Sequence, residues 1–441
     1  MDAASIKNNF FKFWNNFTPP QKILLLVLAL LLVAGIIKAV YYTWLFGGAD
    51  LRDRIVGARL LNTMHSPYYY KWSPGDPEEF INPNLIPNRS INGISAAPGT
   101  LYILYPISFL KYPLIRVIWL VMQYFFLGSI FFYFFRQKTS SNVKVLLALF
   151  GILFFFCSPF WLLHIDRGQV YIMYAYFFLL IYRNLKSRKT GLQFSAGLLI
   201  TLAIYCRPTF FVLVLPLLLA FNPRVFAGLF LGGCIALFLL FFNFHLWQDY
   251  LTSMSMFTKV TAGLQTSVES PIVYPETIEG TTNLRMGKLD FMCGGLAPLD
   301  THLSKIFPST SGMVFICVYL ILVGLLVFLL WKKIRTKDPI LFILFGFLFY
   351  MLAEYVMPAP RGAYALMQWV VPVLLMLYTE RMSIADRILM AIGLCFMVDF
   401  PFYFPFLNDI GELLLVYSIV NFIRKYPMVK TNHKTEQLYI A

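Results

Sequence analysis

The stretch ILLLVLALLLVAGIIKAVYYTWLF, residues 23–46, decides the fold class. It is long enough to cross a bilayer as one helix, which takes about 20 apolar residues. It is also too long and too uninterrupted for a cleaved leader, and no cleavage pattern follows it. The whole chain repeats this character. Of its 441 residues 59% are hydrophobic, 18% aromatic and only 13% charged, with a mean hydropathy of +0.69. A soluble domain has about 25% charged residues. So much apolar surface excludes a soluble enzyme, a nucleic-acid-binding module and a disordered chain. The expectation is a single all-α polytopic membrane domain over residues 1–441.

Working outward from residue 46, a polar segment runs from Gly47 to Pro98, followed by a short apolar stretch at Leu101–Leu110 and a span at Pro113–Phe135. Further apolar runs at about 143–163, 169–182, 191–206, 209–221 and 225–244 precede a second polar segment, His245 to Pro308. Runs near 312–331, 339–357, 362–378, 384–404 and 410–423 bring the expected total to about twelve spans, ahead of a tail at 424–441.

The net charge of +15 follows from this layout and implies no nucleic-acid partner. With both termini inside, about 21 of the 36 basic residues and about 5 of the 21 acidic ones fall on the inner side. Basic residues collect in cytoplasmic loops, so this orientation is the expected one. Both long polar segments, 47–98 and 245–308, then face outward. The expected location is a cytoplasmic (inner) membrane, with any active site on its outer, periplasmic side.

No GxxxxGK[ST] sequence is present, so nucleotide-driven chemistry is not indicated. Cys157, Cys206, Cys234, Cys317 and Cys395 lie in apolar stretches, and Cys293 is alone in a polar loop. Neither a disulfide framework nor a zinc site is read from them. No metal or cofactor is expected.

The densest polar cluster follows the first span: Gly47-Gly48-Ala49-Asp50-Leu51-Arg52-Asp53-Arg54, then Ile55-Val56-Gly57-Ala58-Arg59-Leu60-Leu61. Apolar residues at 51, 55, 58 and 61 have helical spacing, which predicts an amphipathic helix on the outer membrane surface. Asp50 at its start has two readings: a helix N-cap supported by Asp53, or a general base at the water–lipid boundary.

This cluster, with Ser66-Pro67-Tyr68 after it, resembles the first outer loop of polytopic glycosyltransferases of the GT-C type. It is most similar to that of glycosyltransferase family 87, which includes polyprenyl-phosphate-mannose-dependent mannosyltransferases of cell-envelope synthesis. Ala97-Pro98-Gly99-Thr100-Leu101 through Tyr105-Pro106, Arg167-Gly168-Gln169-Val170, and Ala196-Gly197 through Arg207-Pro208-Thr209 fit the same family over about residues 20–245. Tyr171 stands where the family usually has Asn, and Arg207 where it has Lys. The resemblance implies a GT-C helical bundle and a metal-independent, inverting transfer of a sugar, mannose being the common one. The donor would be a polyprenyl phosphate, the acceptor a lipid or glycan at the outer face, and Asp50 the matching general base.

A leaving lipid phosphate needs cations placed beforehand. Candidates are Arg207, Arg361 with Tyr364 and Gln368, and Arg167 with His164 and Asp166, while Asp53, Arg54 and Gln169 would shape the site. An internal ion pair in His164-Ile-Asp166-Arg167 is a competing reading, as is snorkelling of each arginine to membrane lipids. Glu354 and Asp399 either line the cavity or pair with Arg361 or another cation. Residues 245–308 form either an acceptor-side lid or a solvated loop. Tyr68-Tyr-Tyr70 and Trp72 suit an interfacial aromatic belt. Two other function classes remain: an O-antigen-type polymerase or ligase, whose key residues belong in a late outer loop, and a secondary transporter, whose polar residues belong at the bilayer midplane.

Overall fold

A computed structural model describes residues 14–45, 48–63, 65–81, 94–220, 222–261, 312–356, 363–398 and 407–427. Arg361, Asp399, most of the 245–308 segment and the end of the tail lie outside the described residues.

The chain is helical, with no strand among the described residues. In order, the helices are α1 (Pro19–Leu45), α2 (Ala49–Leu60), α3 (Pro98–Ser108), α4 (Tyr112–Phe135), α5 (Ser141–Gly151), α6 (Pro159–Arg167), α7 (Tyr171–Lys186) and α8 (Thr190–Cys206). They are followed by α9 (Val214–Leu219), α10 (Pro223–Phe242), α11 (Phe244–Thr261), α12 (Gly312–Ile334), α13 (Pro339–Val356), α14 (Val370–Tyr378), α15 (Ile384–Met397) and α16 (Leu407–Lys425).

Among the described residues, five helices are long and apolar enough to cross a membrane: α1, α4, α10, α12 and α13. A sixth span arises if α5 and α6 are taken as one helix bent by 47°. The remaining expected spans fall on shorter, broken or more polar helices. A π-helical turn at Ile152–Phe156 ends the α5 run. Ser158, whose hydroxyl accepts from the Trp161 amide, then starts α6 with Pro159 in its first turn, a combination that favours a fresh helix start. Arg207 is extended ahead of Pro208 and breaks α8 from the 3₁₀ turn Pro208–Leu213.

α13 is the central helix and is buried along most of its length, whereas α1 is largely exposed on the apolar outside. α8 and α10 pack closely because a Cβ at Gly228 would collide with the Phe194 carbonyl. Small residues at such crossings are how membrane helices approach one another.

Two sequence expectations change here. α11 is helical from Phe244, so the outer segment does not begin at His245 as a loop, and Asp249 on α11 accepts a hydrogen bond from Ser66 Oγ at 2.6 Å. Tyr68 and Trp72, expected in an aromatic belt, fold into the protein instead. Tyr68 is buried with its hydroxyl on the Ala96 carbonyl, and Trp72 is buried with its indole N–H on the Asp76 carbonyl.

Candidate active site

The polar cluster folds differently from its helical-wheel pattern. Gly48 adopts a left-handed conformation (φ 68°) and turns the chain from α1 into α2. Every residue of α2 except Arg59 is then buried, so α2 is not an amphipathic helix lying on the membrane surface. What permits this is the set of acceptors around it. Arg52 donates to the carbonyls of Ile81 and Glu78 and stacks on the Tyr112 ring at 4.7 Å. Arg59 donates to the carbonyls of Ser108, Glu79 and Leu110. Buried charged groups are tolerated when hydrogen-bonded in this way. Asp53 is buried on the same helix and electrostatically coupled to Tyr112.

Asp50 is not an N-cap: that position is Gly48, with no side-chain capping bond. Its carboxylate faces the end of α6. Arg167 Nε lies 2.7 Å from Oδ2 and Nη2 lies 2.8 Å from Oδ1, a two-pronged fork. Gln169 Nε2 also donates to Oδ2. Gln169 Oε1 accepts from Arg54 Nη2 at 2.7 Å, and Arg54 Nη1 donates to the Asp50 carbonyl at 3.0 Å.

Gly168 makes this convergence possible. It ends α6 in a left-handed conformation (φ 67°) and sends Gln169 back over the helix end, its amide on the His164 carbonyl. A Cβ at Gly168 would sit 2.5 Å from the Leu51 Cβ. From below, Trp119 Nε1 and Gln123 Nε2 both donate to the Gln169 carbonyl.

His164, Asp166 and Arg167, the run read as an internal ion pair, each also reach partners on other segments. His164 is buried against Trp161, accepts from the Ile172 amide at Nε2, and meets the Gln123 side-chain amide at Nδ1. Asp166 is buried and electrostatically coupled to Arg116, which donates to the carbonyls of Ile165 and Thr43. Arg167 crosses to α2.

A second ion pair stands beside the first. Arg207 Nη2 lies 2.8 and 2.9 Å from the two oxygens of Glu354. Its guanidinium also faces the rings of Tyr171 at 4.8 Å and of Tyr174 and Tyr350 at 5.7 Å. Glu354 thus takes the pairing reading, with Arg207 as its cation. Tyr171 and Tyr364 link the two pairs: their rings are 5.6 Å apart, and Arg167 faces Tyr364 at 5.8 Å. Asp50, Arg167, Tyr364, Tyr171, Arg207 and Glu354 form one contiguous path.

Of the sequence candidates, Asp50, Arg54, Arg167, Gln169, Arg207 and Tyr364 come together. Asp53 and Asp166 lie beside this group in the protein interior. Gln368 instead is buried against Met351, one turn beyond Tyr364. Arg116, Trp119 and Gln123 were not anticipated. Their signal was present in the sequence, since the three share one face of an otherwise apolar helix. Among the described residues no three His, Cys, Asp or Glu side chains gather where a metal ion would bind.

The family description "Glycosyltransferase family 87" matches residues 97–358, more than half of the chain. The chain belongs to glycosyltransferase family 87. It is a membrane glycosyltransferase. No curated protein and no solved structure matches it. The family match differs in extent from the similarity read between residues 20 and 245: it begins at Ala97, after α2, and continues through α13. Arg116, Arg167, Gln169, Arg207 and Glu354 all lie within it, whereas Asp50 precedes it.

Proposed function

We propose that this family 87 enzyme transfers one sugar, mannose being the first candidate, from a polyprenyl phosphate to a lipid or glycan hydroxyl at the outer face of the membrane. In this reading the helices form a GT-C-type bundle in which the short and bent segments complete the spans. The observation that carries the reading is the placement of a carboxylate, Asp50, on a path that also holds two arginines and two tyrosine rings.

The chemistry is a single displacement. The acceptor oxygen attacks the anomeric carbon from the face opposite the phosphate, and a new C–O bond forms as the sugar–phosphate C–O bond breaks. Asp50 takes the acceptor proton, and the polyprenyl phosphate leaves with the electron pair. Arg207 and Arg167, with Arg361, stabilise its growing negative charge. Gln169 and Arg54 hold Asp50 in place, and the Tyr171 and Tyr364 rings offer faces for the sugar.

Arg167 is forked across both oxygens of Asp50 and Gln169 sits on one of them, so the carboxylate is occupied by donors. A donor phosphate is the competing oxyanion for Arg167, so donor binding draws the guanidinium away and exposes the base. Acceptor activation then follows donor binding.

The test is transfer of radiolabelled sugar from a panel of polyprenyl-phosphate donors in proteoliposomes, wild type beside Asp50→Asn. A correctly folded variant should lose about 10²–10⁴-fold in rate, the range a positioned base supplies. Equal activity would overturn Asp50 as the base, and wild-type inactivity with every polyprenyl-phosphate sugar would overturn the donor class.

A further inference from the structure

A groove of about 700 Å³ lies between the end of α12 and the end of α16, away from the site just described. Gly324, Phe328 and Trp331 line its wall, and Lys332, Lys333 and Arg424 close one end. The spacing explains the shape. Residues 324, 328 and 331 recur at four and three positions, so they form one stripe along α12. Gly324 leaves a notch, with no atom within 4 Å of where a Cβ would stand. Leu330 departs from helical geometry (φ −114°, ψ 16°) and kinks the helix where the wall turns polar. Phe328 and Trp331 are exposed, so the groove opens sideways onto the bilayer.

Among the described residues, the partners of the basic end are uncharged. Lys333 Nζ donates to the Tyr426 carbonyl and Arg424 to the Asn421 side chain, both uncharged acceptors. The neighbouring carboxylate of Asp386 is engaged by Lys425, and that of Asp338 by the Tyr426 hydroxyl. An apolar trough ending in three cations matches the chemistry of an anionic lipid, acyl chain along the stripe and phosphate at the basic end. The distance from the ion pairs separates this lipid from the sugar donor. α13 begins at Pro339, just beyond α12, and reaches Glu354 only 15 residues later, about 22 Å along the helix axis.

We propose that this groove is a binding site for an anionic diacyl phospholipid of the phosphatidylglycerol class. Each cation near the headgroup favours an anionic over a zwitterionic lipid by up to about fivefold, so three together should enrich it roughly tenfold or more. Trp331 is a built-in reporter. The test places the full-length protein in phosphatidylcholine vesicles holding one-tenth dibrominated phosphatidylglycerol, or the same fraction of dibrominated phosphatidylcholine. The Trp331 contribution is taken as the difference from Trp331→Phe.

Quenching of Trp331 several-fold stronger with the brominated anionic lipid is expected. It should fall to the phosphatidylcholine level in Lys332→Gln/Lys333→Gln/Arg424→Gln, or partway in Arg424→Gln alone should the triple variant not fold. Equal quenching by the two lipids would overturn the proposal. So would a specific signal that survives the charge removals. Displacement of the brominated lipid by an equal fraction of polyprenyl phosphate would also overturn it, because the occupant would then be that lipid.

Discussion

The two buried ion pairs, Asp50–Arg167 and Glu354–Arg207, are built from the same chemistry and present opposite members. In the first, the carboxylate is the crowded partner: it meets both prongs of Arg167 and the Gln169 amide, with side chains 12% and 15% exposed. In the second, the cation is the crowded partner. Arg207 faces three tyrosine rings as well as Glu354, and the carboxylate is nearly sealed, 4% exposed against 20% for the arginine. In the proposed mechanism the first pair, whose carboxylate gathers donors, holds the base. The second, whose arginine is propped by a buried acid and aromatic faces, keeps a cation in place for the phosphate. The difference also predicts mobility. Arg167 can leave for a competing oxyanion because Gln169 still holds Asp50, whereas Arg207 cannot leave without stranding Glu354.

The sharpest way to break this comparison is to remove Arg207. Arg207→Gln leaves the Glu354 carboxylate buried without its counter-ion, and losing one member of a buried pair costs about 3–5 kcal/mol. Adding Glu354→Gln should return most of that stability, measured as the thermal midpoint in detergent. If Arg207 holds the donor phosphate, the stable double variant still transfers no sugar at ordinary donor concentration. A stable and active double variant would make the pair purely structural and remove the contrast with Asp50.

A smaller effect is expected at the hinge of the first pair. Gly168→Ala forces a left-handed backbone on a residue with a Cβ, costing about 1–2 kcal/mol. It also pushes that Cβ into Leu51, 2.5 Å away. Gln169 and Arg167 should both shift relative to Asp50. Displacement by a fraction of an ångström to an ångström is expected to lower transfer roughly tenfold to a hundredfold, with the protein still folded. Full activity in the variant would show that Asp50 needs neither partner in its present position.

Much of this architecture is legible in the sequence, and the failures have identifiable causes. Apolar runs mark α1, α4, α10, α12 and α13 because crossing a bilayer demands composition and length together. Asp50, Arg167, Gln169 and Arg207 stand out as polar residues at helix ends. α2 misleads because its apolar residues have surface-helix spacing, while the carbonyls that satisfy its arginines come from residues 78–81 and 108–110, remote in sequence. The span count drifts because periodicity does not register the π-helical turn at Ile152–Phe156 or the break at Arg207. Arg116 and Gln123 were hidden by the apolar run around them, although a charge inside such a run is costly enough to mark a site.

A third ion pair calibrates the other two. Lys425 Nζ lies 2.9 Å from the Asp386 carboxylate, and Asp386 also caps α15 through Ser383. Its geometry is as good as that of the buried pairs, but Lys425 is about half exposed and water is the alternative partner. Exposed pairs contribute about 0–1 kcal/mol and are screened by salt. Lys425→Gln should therefore shift the thermal midpoint only slightly, the shift should shrink as ionic strength rises, and sugar transfer should stay at the wild-type rate. If Lys425→Gln instead destabilises the protein as much as Arg207→Gln, burial is not what separates these pairs. The assignment of Arg207 as an anion-holding cation would then lose its energetic basis, because short distance alone would account for the stability of all three.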